Sequence, residues 1–112
     1  MRRNFFFPML MALTVTSCGG VQVQFGRDIN LEAFKNQIQR GVTVRQDIEL
    51  WLGTPQGVGL AIEADGTIFR EWTYYYGNGN LSKMQNAHFK LLQIKFDDHG
   101  IVRAYRFSDQ NS

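Results

Sequence analysis

Few side chains in this sequence have the type and spacing that chemistry demands. His88, Asp97, Asp98 and His99 offer donors for a metal, but Asp97 to His99 are contiguous and no His-x-x-x-His pair occurs. A structural turn is the expected reading there. Ser82 and Ser108 sit in loop and tail contexts without the His and acid motif that activates a hydroxyl. Gly53-Thr54-Pro55-Gln56-Gly57-Val58-Gly59 resembles a phosphate-cradling loop only in its glycines. It lacks the Lys-Ser/Thr pair and follows a helical pattern instead of opening one. A helix cap and turn is expected, and the chain is expected to be neither an enzyme nor a cofactor carrier. Tyr74-Tyr75-Tyr76 remains: strand alternation sends Tyr74 and Tyr76 to one face and Tyr75 to the other, for packing or for a partner.

One residue does carry a chemical signature. Cys18, the single cysteine, follows Arg2 and Arg3, an apolar run from Phe5 to Val15, and the small polar Thr16 and Ser17. This is the anatomy of a secretory signal. The run is interrupted by Pro8 and falls well short of the roughly 20 apolar residues that span a bilayer. Val15-Thr16-Ser17-Cys18 resembles the bacterial lipobox. That resemblance implies a thioether-linked diacylglycerol on Cys18, cleavage of residues 1–17 before it, and acylation of the freed amine. Two or three acyl chains hold a protein on a membrane where one does so marginally. Gly19, which stands where Asp would retain many such proteins in the inner membrane, implies the outer membrane.

Composition narrows the rest. A chain of 112 residues allows one domain. With one cysteine, neither an internal disulfide nor a cysteine zinc site can hold it together. The formal charge of +2 falls to zero without Arg2 and Arg3, which argues against a nucleic-acid binder.

The elements that must position any site follow from the periodicity. Residues 18–29 read as an acylated N-terminus and tether, in which Val21 to Phe25 alternates like an edge strand or extended arm. Leu31, Phe34 and Ile38 predict a first helix over about 30–40, capped by Asn30 or Asp28 and closed by Gly41. Thr43 and Gln46 have capping-box spacing ahead of the stripe Val44, Ile48, Trp51, Leu52, predicting a second helix over about 44–52 that ends at Gly53 and Pro55. Val58–Glu63, Asp65-Gly66 and Thr67–Tyr76 read as a hairpin, with Gly57 and Gly59 before and within its first arm. Residues 77–86 read as a loop. His88–Asp97 is a strand with Leu92, Ile94 and Phe96 on one face. Asp98-His99-Gly100 turns the chain into a last strand, Ile101–Phe107, both of whose faces are mixed. The expected fold class is α+β: two N-terminal helices packed on a three- or four-stranded antiparallel sheet, over residues 30–108, with 109–112 a tail. Trp51 and Trp72 are expected to be buried. The domain is expected to be a soluble monomer once residues 1–17 are removed.

The order Ile38-x-x-Gly41-Val42-Thr43, Asp47, Leu52-Gly53-Thr54-Pro55, Trp72-x-Tyr74 and Ile94-x-Phe96-Asp97-x-x-Gly100 resembles the SmpA/OmlA, or BamE-like, family of outer-membrane lipoproteins over roughly residues 25–105. The resemblance implies two helices on a three-stranded antiparallel sheet and a non-catalytic accessory role in outer-membrane protein assembly. It also implies contact with assembly proteins and with anionic phospholipid. Asp28-Ile29-Asn30 is similar to a stretch in the functional surface of the family's best-known member, with Phe25 where that protein has Tyr and Gly26-Arg27 in place of an Arg-Pro pair.

The function expected is therefore a lipid-anchored binding module on the periplasmic face of the outer membrane. Its candidate partner-binding residues are Phe25, Arg27, Asp28, Ile29, Asn30 and Tyr75, and Cys18 is the lipidation site. Arg27, Lys35, Arg40 and Arg45 either gather near the helices against headgroups or stand solvated. A lipoprotein inhibitor of an envelope hydrolase and a ligand-binding lipoprotein, with a pocket between helices and sheet, are the alternatives.

Overall fold

The computed structural model describes residues 22–80 and 85–111. The expected signal segment, the lipidation site Cys18 and residues 19–21 of the tether lie outside the described residues. Over these residues the chain is α+β, with two helices and a five-stranded antiparallel sheet in the order β1(Gln22–Phe25), α1(Leu31–Gln37), α2(Arg45–Leu52), β2(Gly57–Ile62), β3(Ile68–Asn80), β4(Gln85–Phe96), β5(Val102–Asn111). β3, β4 and β5 are neighbours in that order. β1 and β2 both pair with β3 along its other edge, β2 at Ile68–Thr73 and β1 at Gly77–Asn80.

The core lies between the helices and one face of the sheet. Leu31, Phe34, Ile38 and Ile48 from the helical layer meet Tyr74, Tyr76, Leu92, Ile94, Phe96 and Val102 from the strands, joined by Ile29 ahead of α1. The even-numbered residues of β3 and β4 thus face the helices, as the alternation of Leu92, Ile94 and Phe96 predicts. Trp51 and Trp72 pack against this core but are only half-buried, contrary to expectation. Trp51 borders a cavity at the end of α2, and Trp72 meets Phe96 edge-on at 4.9 Å beside the exposed Val58 of β2, so neither ring is fully covered.

Local chemistry explains the element ends. Asn30 caps α1 through an acceptor bond from the Ala33 amide at 3.0 Å, so of the two candidate caps it is the one used. α1 stops at Gln37, short of Gly41, because Ile38 is already extended. The expected capping box on Thr43 does not form. The Thr43 hydroxyl instead accepts from the Gln39 amide at 2.8 Å, closing the turn between the helices, while its carbonyl accepts from Val102. The cap moves on by one residue: the Asp47 carboxylate accepts from the Val44 amide at 3.1 Å. Gly53, at φ +80, ends α2 in a conformation that favours glycine.

Of the two readings of the tether, the edge strand is the one formed: β1 pairs with β3 and raises the expected three or four strands to five. Two further expectations about the sheet are corrected. The expected loop over 77–86 is shorter, since β3 runs on to Asn80 and β4 begins at Gln85. Gly77 to Asn80 read as a loop by composition, yet they pair with β1 on one side and, Gly79 apart, with β4 on the other. Glycine at 77 leaves room for the ring of Phe25 on β1, which a Cβ there would displace. Finally, β5 extends to Asn111 and absorbs the tail. Its mixed faces have a cause: the register shifts between Lys95 and Phe96, which pair with Ala104 and Val102. The extra residue, Arg103, bulges, so Val102 and Tyr105 can both face the core across a change of parity.

Candidate functional site

The face of the sheet away from the helices carries an aromatic strip at one end. Phe25, Tyr75, Phe89 and Leu91 are all exposed there. Register puts Phe25 opposite Gly77 and Gly77 opposite Phe89, with Tyr75 opposite Leu91 in the next row. The Phe25 ring lies edge-on to Tyr75 at 5.9 Å and tilted to Phe89 at 6.3 Å. These distances suit aromatic pairs. The strip borders a shallow depression of about 370 Å³, reaching Ser108 and Gln110 of β5.

Two devices hold the strip. Tyr75 lies in the gap between β1 and β2, where no strand among the described residues pairs its outer edge. The Gln56 side-chain amide fills the place of a strand, donating to the Tyr75 carbonyl at 2.9 Å and accepting from the Tyr75 amide at 3.3 Å. On the helix side, Lys90 ties the chain leaving β1 to β4. Its ammonium donates to the Asp28 carboxylate at 2.7 Å and to the Ile29 carbonyl at 2.8 Å, with the Tyr76 ring 5.9 Å away. Lys90 holds the Asp28 carboxyl below its ordinary value.

The candidate partner-binding residues therefore divide. Phe25 and Tyr75 meet on the exposed face. Asp28 and Ile29 are bound up with Lys90, Ile29 being a core residue, and Asn30 is a helix cap. Arg27 lies apart from the strip, its guanidinium against Gly53 at the end of α2. The four basic residues singled out in the sequence do not form one patch. Lys35 pairs with Glu32 at 3.2 Å, and Arg45 lies against Gly100. Phe89 and Leu91 were missing from the expected site. Their signal was present: if Leu92, Ile94 and Phe96 face the core, Phe89 and Leu91 must face away. Gln56 carried no such signal.

The remaining chemical candidates resolve into structure. His88 pairs with Asp109 at 2.6 Å on the helix side of the sheet, remote from His99. Asp97 organises the β4–β5 turn, accepting from the Ile101 and His99 amides and from Arg103. The backbone bond from Ile101 is the main cause that lowers its carboxyl to about 2, with Arg103 and His99 adding to it. Among the described residues, no three His, Cys, Asp or Glu side chains gather as a metal site would require. Gly53 to Gly59 form the end of α2, a turn and the start of β2. Next to them lies a cavity of about 220 Å³ bounded by Arg27, Trp51, Thr54, Gln56 and Tyr74. The Tyr74 hydroxyl there donates to the Gly53 carbonyl at 2.7 Å, and burial pushes its phenol well above the ordinary value. The cavity is smaller than the roughly 300 Å³ at which drug-sized ligand sites begin. No helix among the described residues is long and apolar enough to cross a membrane.

Comparison with family models, with curated proteins and with solved structures returns no match to this chain.

Proposed function

We propose that this protein is a non-catalytic binding module of the SmpA/OmlA (BamE-like) kind, held by acyl chains on Cys18 at the periplasmic face of the bacterial outer membrane. There it serves as an accessory in envelope or outer-membrane protein assembly. The observation that carries the reading is the exposed strip of Phe25, Phe89, Tyr75 and Leu91, built on paired strands and fixed by Gln56. Aromatic side chains present large contact area at small entropic cost and dominate protein interfaces. Position supports it further. Only three residues lie between Cys18 and Gln22 of β1, four chain steps with a reach of at most about 14 Å. A partner on the strip therefore sits close to the membrane surface.

The test is crosslinking of the acylated protein in its own membranes, with Phe25→Ala and Phe89→Ala compared with the unaltered chain. Both variants are expected to stay folded and to lose a specific crosslinked envelope protein. Unchanged crosslinks in both would refute the strip as the binding surface. Unchanged membrane partitioning of Cys18→Ser would refute the anchor.

A further inference from the structure

The hairpin β2–β3 carries a second apolar surface on the helix side of the sheet, in the rows of Trp72, Arg70 and Ile68. Val58, Leu60, Ile62 and Ile68 are 61%, 61%, 69% and 56% exposed. In β2 they alternate with Gly57, Gly59 and Ala61, so one face is built of branched aliphatics and the other of the smallest residues. Among the described residues, β2 pairs only with β3. Its other edge carries none of the charges, prolines or bulges by which proteins blunt a free strand.

Which backbone groups face that edge follows from register. The Glu63 amide donates to the Thr67 carbonyl, and β2 and β3 pair from Gly57↔Thr73 to Ile62↔Ile68. Antiparallel ladders alternate bonded and non-bonded pairs, so the odd-numbered residues of β2 bond to β3. The N–H and C=O groups of Val58, Leu60 and Ile62 point outward.

We infer that this edge joins two copies of the chain through antiparallel β2–β2 pairing about a two-fold axis at Leu60. With Leu60 opposite Leu60, Val58 falls opposite Ile62, so every outward backbone group of those three residues is matched. The aliphatic faces of both copies merge on one side of a continuous sheet, while Gly59 and Ala61 lie opposite each other on its flat side. Charge agrees with this register. Glu63 is held by Lys95 of its own copy at 2.7 Å, so the acidic group that each hairpin tip brings beside the stretch before β2 of the other copy is Asp65, which makes no ion pair among the described residues. That stretch is close to Gly53, against which Arg27 lies with no acidic partner among the described residues. The pairing is isologous, as a closed dimer requires. A six-residue strand is only about 20 Å long, so the contact is at the small end of specific interfaces and the dimer is a concentration-dependent one. The single-copy domain expected from the sequence leaves this edge unpaired.

The full chain carrying Leu60→Cys, oxidised in membranes, is expected to give a disulfide-linked dimer in which the tryptic peptide containing position 60 is joined to itself. The directly opposed residues lie within disulfide reach. Gly59→Cys, where a side chain meets nothing within 4 Å but faces the other side and lies opposite Ala61, is expected to give about tenfold less. In sedimentation of the full chain, Leu60→Lys is expected to shift dimer to monomer, with an unfolding midpoint equal to that of the wild type at protein concentrations where both are monomeric; should that lysine prevent folding, Ile62→Thr makes the same comparison. Equal linkage from positions 59 and 60 would overturn the inference. So would linkage of position 60 only to another protein, which would mean an extended partner occupies the edge, or a wild-type chain that stays monomeric at every concentration.

Discussion

The side-chain amide of Gln56 closes both backbone hydrogen bonds of Tyr75, at 2.9 and 3.3 Å, on the one stretch of β3 that neither β1 nor β2 covers. A single side chain thus bridges two short strands on one sheet edge and fixes the central aromatic of the exposed strip. Gln56→Ala returns those groups to water, since the site is exposed. The expected loss is about 0.5–1.5 kcal/mol in urea unfolding. Gln56→Glu keeps the acceptor and removes the donor, so it should fall at least as far.

The core and its margin should respond differently. Phe34 is buried and meets Tyr105 edge-on at 5.4 Å. Phe34→Ala is expected to cost about 3–5 kcal/mol. Trp51 is only half-buried, so Trp51→Ala should cost less than Phe34→Ala although it removes the larger side chain. Denaturant midpoints of the two variants, measured side by side, check the order.

The segment entering α1 is expected to affect stability more than binding. Asn30→Ala removes the cap on Ala33 and should cost about 0.5–2 kcal/mol. Asp28→Ala breaks an ion pair whose carboxylate is largely exposed, which is worth at most about 1 kcal/mol. Thermal unfolding measured with crosslinked partner yield separates the two roles. Neither variant should alter the yield once stability is allowed for.

Acid should loosen the β4–β5 turn. The folded-state carboxyl of Asp97 is lowered from 3.8 to about 2, chiefly by the Ile101 amide. A group with a depressed folded value stabilises fully above its unfolded value and loses that contribution as pH falls through the folded one. Unfolding midpoints should therefore decline between about pH 4 and pH 2. Asp97→Asn should flatten part of that decline. Equal slopes for both proteins would contradict the assignment.

Local patterns in the chain specify most of this architecture. The stripes of Leu31, Phe34 and Ile38 and of Ile48, Trp51 and Leu52 mark both helices, and the alternation of Leu92, Ile94 and Phe96 settles which face of the sheet is core. Long-range partners are not encoded locally. Thr43 has the spacing of a cap, but its hydroxyl is drawn to Gln39 by the turn between the helices. Gly77 to Asn80 have loop composition and become strand because β1, more than fifty residues earlier, pairs with them. One bulged residue, Arg103, is enough to blur the periodicity of β5. At the site, Tyr75 was legible from alternation and Phe89 could have been. The division of the entry segment into an outward Phe25 and the structural Asp28, Ile29 and Asn30 depends on Lys90, which lies some sixty residues away in sequence.

The proposal that the aromatic strip is the binding surface is tested most directly by site-specific photocrosslinking in intact membranes. A photoreactive residue is placed in turn at Phe25, Tyr75 and Phe89 and, as controls on the opposite side, at Glu32 and Leu50. The account predicts that the three strip positions capture the same envelope protein and the controls do not. Capture from the control positions alone, or equally from all five, would contradict it.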